Sequence, residues 1–393
     1  MEQLPVYLDH AATTPVHPDV LAAMLPYWRA APGNPSSIYG WGREARHALD
    51  SARDTVAQVL NCRPREVIFT GGGTEADNAA LQGTAFANFD RGNHLITCAI
   101  EHHAILHTCE FLEQFGFETT VLPVDEYGQV DPGAVAAAIR PETILVSIMY
   151  ANNEVGTIQP IRDIARVAHE RGVLVHTDAV QAGGALSLDV RSLGVDLLSL
   201  AGHKFYGPKG TGVLYVREGA EWQPQQQGGS QERNQRAGTE NTAGIVGLAK
   251  ALDLAHAHLA ARRAHDEHLR DRLIDGLLSD IPDARLTGHP ANRLPNSASF
   301  CFHNVEGESI LLGLDVKSIY ASSGSACTSG SLELSHVLEA LGLPAAWARG
   351  SLRLTVGLDN TEAQIDYVLR ELPALIATLR AMAPPTTPLA AAS

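Results

Sequence analysis

Cysteine is scarce in this 393-residue chain. The five present, Cys62, Cys98, Cys109, Cys301 and Cys327, are odd in number and contain no CxxC pair. That pattern excludes a disulfide framework and a zinc knuckle, and it fits a reducing compartment such as the cytosol. No apolar run approaches the roughly 18 residues that a bilayer-spanning helix needs. The start, Met1-Glu2-Gln3-Leu4-Pro5, lacks the basic-then-apolar order of a secretion signal, so no cleaved leader is expected. Positive charge is also short: 29 Lys and Arg stand against 44 Asp and Glu, a net −15. Such a balance disfavours non-specific attraction to nucleic acid or to an anionic membrane. With 45% hydrophobic and 19% charged residues the composition is that of a globular protein, which excludes disordered, collagen-like and coiled-coil classes. The length predicts two or three domains, and no internal repeat is present.

From about residue 43 to 260, short β-rich runs alternate with helical stretches. Residues 43–60 place Ala45, Ala48, Leu49, Ala52, Val56 and Val59 at three- and four-residue spacing, the pattern of an amphipathic helix. Val67-Ile68-Phe69-Thr70 reads as a short strand ending in three glycines, with further buried strands expected at 94–98, 143–149, 172–177, 195–200 and 212–216. Near-continuous apolar strands between helices predict an α/β fold whose mostly parallel sheet is covered on both faces. Ligands gather at the carboxyl ends of such strands. A long helical stretch is expected from 244 to about 278, then strands at 297–302 and 351–356 and a helix from 361, a smaller α+β domain. The Pro/Thr/Ala-rich tail, 384–393, is expected to be disordered.

Four segments carry chemistry. Gly71-Gly72-Gly73-Thr74 follows a strand and opens a helix, where glycines and unpaired N–H groups suit an anion; a tight turn that binds nothing is the alternative. Asp178 closes the run Val173–Thr177 at a strand end. A carboxylate there is either paired locally or awaits a buried cation such as a protonated pyridine nitrogen. Lys204, 26 residues later within Gly202-His203-Lys204-Phe205-Tyr206, is one strand–helix–strand step away. Alone it reads as a surface lysine, and beside a phosphate loop and a strand-end Asp as an imine-forming amine. Residues 322–331 hold five Ser, two Gly, one Thr, one Ala and Cys327. Such a loop has little to pack, so its cysteine is either an incidental surface thiol or a nucleophile that swings towards a site. Glu101-His102-His103 with His107 and Cys109 looks metal-like. His102 follows a strand, however, and a flat ring stacked on a cofactor is the preferred reading, with no metal expected. His256, His258, His265 and His268 read as one solvated helix face.

Taken together these segments resemble the NifS/IscS-like cysteine desulfurases of the class V aminotransferase family, the type with a long cysteine loop. The likeness runs from Tyr7-Leu8-Asp9-His10-Ala11-Ala12-Thr13-Thr14-Pro15 past Arg353. It takes in Gly33-Asn34-Pro35-Ser36-Ser37, Asn152-Asn153-Glu154-Val155-Gly156, Gln231-Glu232-Arg233 and Arg236-Ala237-Gly238-Thr239-Glu240-Asn241. The resemblance implies a homodimer with the type I pyridoxal 5′-phosphate (PLP) aminotransferase fold. It implies a large PLP-binding domain over 16–255 and a small domain formed by 1–15 and 256–383 that carries the cysteine loop. It assigns Lys204 the covalent hold on the cofactor and proton transfer, Asp178 the pyridine nitrogen, Gln181 the ring oxygen and His102 the stacked ring. Thr74, His203 and Thr239 match phosphate ligands, the last supplied across the dimer interface. Asn153 and Arg353 match the residues holding the substrate carboxylate, and Cys327 the sulfur-accepting nucleophile. The implied reaction converts L-cysteine to L-alanine with a persulfide on Cys327. An iron–sulfur scaffold or a sulfur carrier for tRNA thiolation then takes the sulfur in the cytoplasm, with no membrane or direct nucleic-acid contact. Selenocysteine lyase, a class V aminotransferase and a non-catalytic sulfur-assembly scaffold are the rival readings. Two positions depart from the pattern: Ala201 stands where many relatives carry serine, and Tyr39 where histidine is common.

Overall fold

The computed structural model describes residues 5–29, 32–323 and 334–382. Its centre is a seven-stranded sheet. Across the sheet the strands are Val67–Thr70, Gly212–Val216, Leu197–Ala201, Leu174–Asp178, Thr143–Ser147, His94–Cys98 and Glu118–Leu122. Gly212–Val216 runs antiparallel to both neighbours, and the other adjacent pairs are parallel. The four strands Leu197–Ala201, Leu174–Asp178, Thr143–Ser147 and His94–Cys98 are buried along their whole length, which is why they appear in the sequence as unbroken apolar runs. The edge strand Glu118–Leu122 (Glu-Thr-Thr-Val-Leu) is half-exposed and has no such signature.

Helices cover both faces. Gly40–Leu60 buries Ala45, Leu49, Ala52, Val56 and Leu60 and ends at Asn61, whose left-handed φ of 54° is tolerated by a short polar side chain. The helical stretch expected as one piece is two helices, Thr242–Ala257 and Leu259–Asp280, broken at His258 (φ −108°, ψ 13°). The first is nearly all Ala, Gly and Leu, and it packs against Pro18–Arg29 and Gly40–Leu60. The second carries charge round most of its circumference.

A second core lies apart from the large sheet. It joins Val6 and Leu8 to Leu269, Phe300, Ile310, Leu352, Leu354 and Ile365 around the antiparallel strands Ser351–Thr355, Ser297–Phe302 and Ala284–Leu286. The pair Val6–Tyr7 and Ile319–Tyr320 ties the chain start to this unit. Cys327 and the tail 384–393 lie outside the described residues. No described helix is long and apolar enough to cross a membrane.

The segment 231–241 is fixed by a buried two-pronged ion pair. Arg53 Nη1 and Nη2 reach the Glu232 carboxylate at 2.8 and 2.6 Å, and Glu232 also accepts from the Phe69 N–H at 3.0 Å. Glu232, Arg233 and Asn234 all hold positive φ (44°, 58° and 64°), so the sharp turn that presents Arg236 and Thr239 depends on this clamp.

Candidate active site

Neighbouring strands deliver the two central groups. Asp178 ends Leu174–Asp178, and Lys204 sits in the single helical turn Gly202–Lys204 that follows Leu197–Ala201. Lys204 Nζ donates to the carbonyls of Ala11 (2.6 Å) and Ala12 (2.9 Å), and Gln181 Nε2 donates to the same Ala11 carbonyl at 3.1 Å. The N-terminal segment therefore wraps the lysine turn. Thr14 N and Oγ1 both donate to His203 O at 2.9 Å, and Thr14 Oγ1 accepts from Tyr206 N at 2.7 Å.

Asp178 Oδ1 accepts from Val180 N at 2.8 Å. Burial pushes its carboxyl up to about 6, opposed by the Val180 N–H and the Lys204 charge. Two more acids are buried close by. Burial holds Glu101 up at about 8 and Asp77 well above the carboxylate range. Glu101 Oε1 accepts from Cys98 Sγ and Met149 N, while Oε2 has no partner. Asp178 is thus the most readily ionised of three desolvated acids, and a cation on it would be strongly favoured.

The glycine turn opens on a cleft of about 440 Å³ lined by Ala12, Thr13, Gly71–Glu75, His203, Lys209 and Gly210. Gly72 caps the helix Gly73–Ala87 without a side chain, so the first-turn N–H groups stay open to the cleft. A Cβ on Gly73 would lie 2.7 Å from Val180 Cγ2, so only glycine fits there. His203 Nδ1 faces Thr13 Oγ1 at 3.1 Å, and burial with the Lys204 and Lys209 charges drives its imidazole down to about 4. Beside Thr74 a second cleft of about 520 Å³ holds His102. His102 Nδ1 accepts from Ala104 N at 3.1 Å. Burial, then Lys204, lowers the ring to about 4, leaving a flat neutral imidazole with its proton on Nε2.

Arg353, on Ser351–Thr355 of the small sheet, reaches into the same region. Nη2 meets Asp9 Oδ1 at 2.9 Å and Nη1 donates to Asn153 O at 2.8 Å. Its Nε is buried with no acceptor among the described residues. Asn153 makes this contact through its main chain. Thr239 is exposed and is not brought to Lys204. It lines another pocket, of about 220 Å³, that shares only Gly71 and Gly210 with the cleft.

The His103 and His107 rings lie 5.0 Å apart with His336 4.8 Å from His103, and no described group of His, Cys, Asp or Glu is arranged to hold a metal. His256, His258 and His268 are exposed, whereas His265 is half-buried with Nε2 unpartnered. Cys98, Cys109 and Cys301 are buried and Cys62 half-buried. Burial lifts the thiols of Cys62, Cys109 and Cys301 to about 12, as expected of inert core cysteines. Ala201 is buried against Gly73, and Tyr39 caps Gly40–Leu60 without a side-chain hydrogen bond.

The Aminotransferase class-V family profile matches residues 6–368. The chain belongs to the class V aminotransferase family. Within that family it is 54% identical to the cysteine desulfurase IscS of Methanosarcina thermophila, over 98% of this chain and 95% of that one. It is 50% identical to the IscS of Dictyoglomus turgidum over 96% of each chain. A solved NifS-like protein superposes with a TM-score of 0.90 at 38% identity, covering 96% of this chain and all of that one. The family uses pyridoxal 5′-phosphate, and the residues present fit it: a buried carboxylate at one strand end, a lysine after the adjacent strand, and an open helix start at Gly73, where a side chain would meet Val180.

Sequence reasoning missed Asp9 and Asp77, and took Glu101 only as part of a metal-like group. None has a local spacing that signals its burial beside the lysine turn.

Replacing Asp178 gives a sign that separates a structural acid from a cofactor partner. Its folded value, about 6, lies above the usual 3.8 of an unfolded aspartate. Its contribution is fully present below the unfolded value and is lost as pH rises through 6. Asp178→Asn should therefore raise the Tm of cofactor-stripped protein by about 2–4 °C at pH 8 and by roughly half as much at pH 5, where the unfolded carboxylate is already ionised. The same variant should bind the cofactor more weakly, as titration of visible absorbance will show. A lower Tm at pH 8 would contradict this reading.

Proposed function

We propose that this protein is a PLP-dependent cysteine desulfurase that transfers the sulfur of L-cysteine to Cys327 and releases L-alanine. The observation that carries the reading is the placement of Lys204 and the buried Asp178 at the ends of adjacent parallel strands, beside the glycine turn that opens a helix. Near-full-length identity of 54% and 50% to proteins named cysteine desulfurase supports it.

Lys204 would hold the cofactor covalently, with Asp178 at its ring nitrogen, Gln181 near its ring oxygen and His102 against its face. Thr74, His203 and the open first-turn N–H groups would take its phosphate, joined by Thr239 from the partner protomer. When bound, the cofactor supplies an electron sink conjugated to the substrate Cα. Arg353 and Asn153 grip the substrate carboxylate and fix the Cα–H direction. Lys204 then takes and returns protons as a base. The Cys327 thiolate attacks the substrate sulfur. The C–S electron pair stays with carbon, which takes a proton to give alanine, and an S–S bond forms on Cys327.

Large apolar side chains lie exposed around the Gly33–Ser37 segment, namely Trp28, Ile38, Tyr39 and Trp41. This supports the homodimer through which Thr239 would act. The separate cores support the division into a large domain, 16–255, and a small one, 1–15 with 256–383. A cytoplasmic sulfur carrier or iron–sulfur scaffold is the proposed acceptor.

Incubation with cysteine should release alanine and equimolar sulfide in the presence of a reductant, with no amino-group exchange onto keto acids. Efficient exchange would instead make the protein an aminotransferase. Arg353→Met removes charged hydrogen bonds and should lower kcat/KM for cysteine by roughly tenfold to a hundredfold, mostly through KM. An unchanged KM would remove Arg353 from the substrate site.

A further inference from the structure

We infer that a second pocket, walled by the two residues that follow Lys204, binds a small apolar carboxylate. The pocket measures about 260 Å³ and is walled by Phe205, Tyr206, Leu254, Ala255, Leu358 and Arg262. It shares no lining residue with the Gly71–Thr74 cleft or the His102 cleft.

Its walls are mostly apolar; His17, Asp19 and His258 also line it, and Arg262 is its buried charged group. Arg262 is only 7% exposed. Its Nε forms a buried ion pair with Asp266 Oδ2 at 3.6 Å, looser than a hydrogen bond. Arg262 Nε has no acceptor among the described residues, and Asp266 Oδ1 has no donor. The side chain is nonetheless held in place. Its guanidinium lies 4.9 Å over the Tyr206 ring, and a Cβ added to Gly184 would come within 2.6 Å of Nη1.

A desolvated guanidinium with an open N–H selects a planar anion, and the surrounding aliphatic and aromatic walls select an apolar body. The acid at the pocket's rim, Asp19, keeps two-thirds of its side chain in solvent, where its charge is screened. The occupant would rest on strained backbone. Tyr206 holds φ +67°, with its N–H on Thr14 Oγ1 and its hydroxyl accepting from Leu358 N.

Isothermal titration calorimetry of the holoenzyme with phenylacetate tests the site. Saturable binding is expected, weakened about tenfold or more in Arg262→Met. The same loss is expected in Leu254→Trp, which fills the pocket and leaves the arginine in place. Arg353→Met, which disables the substrate carboxylate site, should bind phenylacetate within about twofold of wild type, and phenethylamine should not bind. Should Arg262→Met fail to fold, as judged by circular dichroism, Leu254→Trp decides alone. Absence of saturable binding, retention in Leu254→Trp, or loss in Arg353→Met alone would overturn the assignment.

Discussion

Lys204→Ala should lower cysteine turnover by about a thousandfold or more. General acid–base transfer at a substrate carbon contributes roughly 10²–10⁴ by itself, and the variant also loses the covalent hold on the cofactor. The fold should survive, because the Ala11 and Ala12 carbonyls that accept from Nζ can be hydrated once the side chain is removed. Two measurements separate chemistry from folding. Borohydride treatment should fix the cofactor to the peptide containing position 204 in wild type and to no peptide in the variant. Exogenous methylamine should restore part of the turnover. A variant within tenfold of wild type would place the reacting amine elsewhere.

Cys327→Ala should lower desulfuration of cysteine on the order of a thousandfold or more, the scale seen when an enzyme loses its nucleophile. It should leave binding of the cofactor unchanged, since the groups proposed to hold the ring and phosphate come from strand ends and helix starts of the large sheet. The four other cysteines cannot substitute. Three are buried and the fourth half-buried, and burial raises their thiols so that almost no thiolate forms at neutral pH. Selenocysteine is a discriminating second substrate: its weaker C–Se bond needs less help from an attacking thiol. A variant that loses cysteine activity but keeps selenocysteine turnover supports the nucleophile, whereas equal retention of both would exclude it.

Much of the central sheet was legible because buried parallel strands write their burial as unbroken apolar runs. The strand at 174–178 and the one at 197–201 were read within two residues of their observed ends. The edge strand Glu118–Leu122 escaped because a half-exposed strand of Glu and Thr has no such run. The break at His258 escaped because Ala, His and Leu on either side all tolerate a helix, and the neighbouring helices set the change of direction. In the site, Lys204 and Asp178 are each ambiguous in isolation, and their placement at the ends of adjacent strands supports reading them as one site. Arg353 finds Asp9 across 344 positions of chain, a contact no local pattern encodes. Thr239 lay in a recognisable motif, yet in a single chain it lines a different pocket, so its role rests on a second copy. Asp77 and Glu101 have the plainest physical signature, deep burial of an acid, and that is invisible until the tertiary structure exists.

The most direct test of the account is to add one equivalent of ³⁵S-cysteine to the holoenzyme, alkylate at once and locate the label by peptide mapping without reductant. The account predicts label on the peptide containing Cys327 as a reducible persulfide, matched by an equal amount of alanine. Alanine release with no label on that peptide, or label on Cys62, Cys98, Cys109 or Cys301 instead, would contradict it.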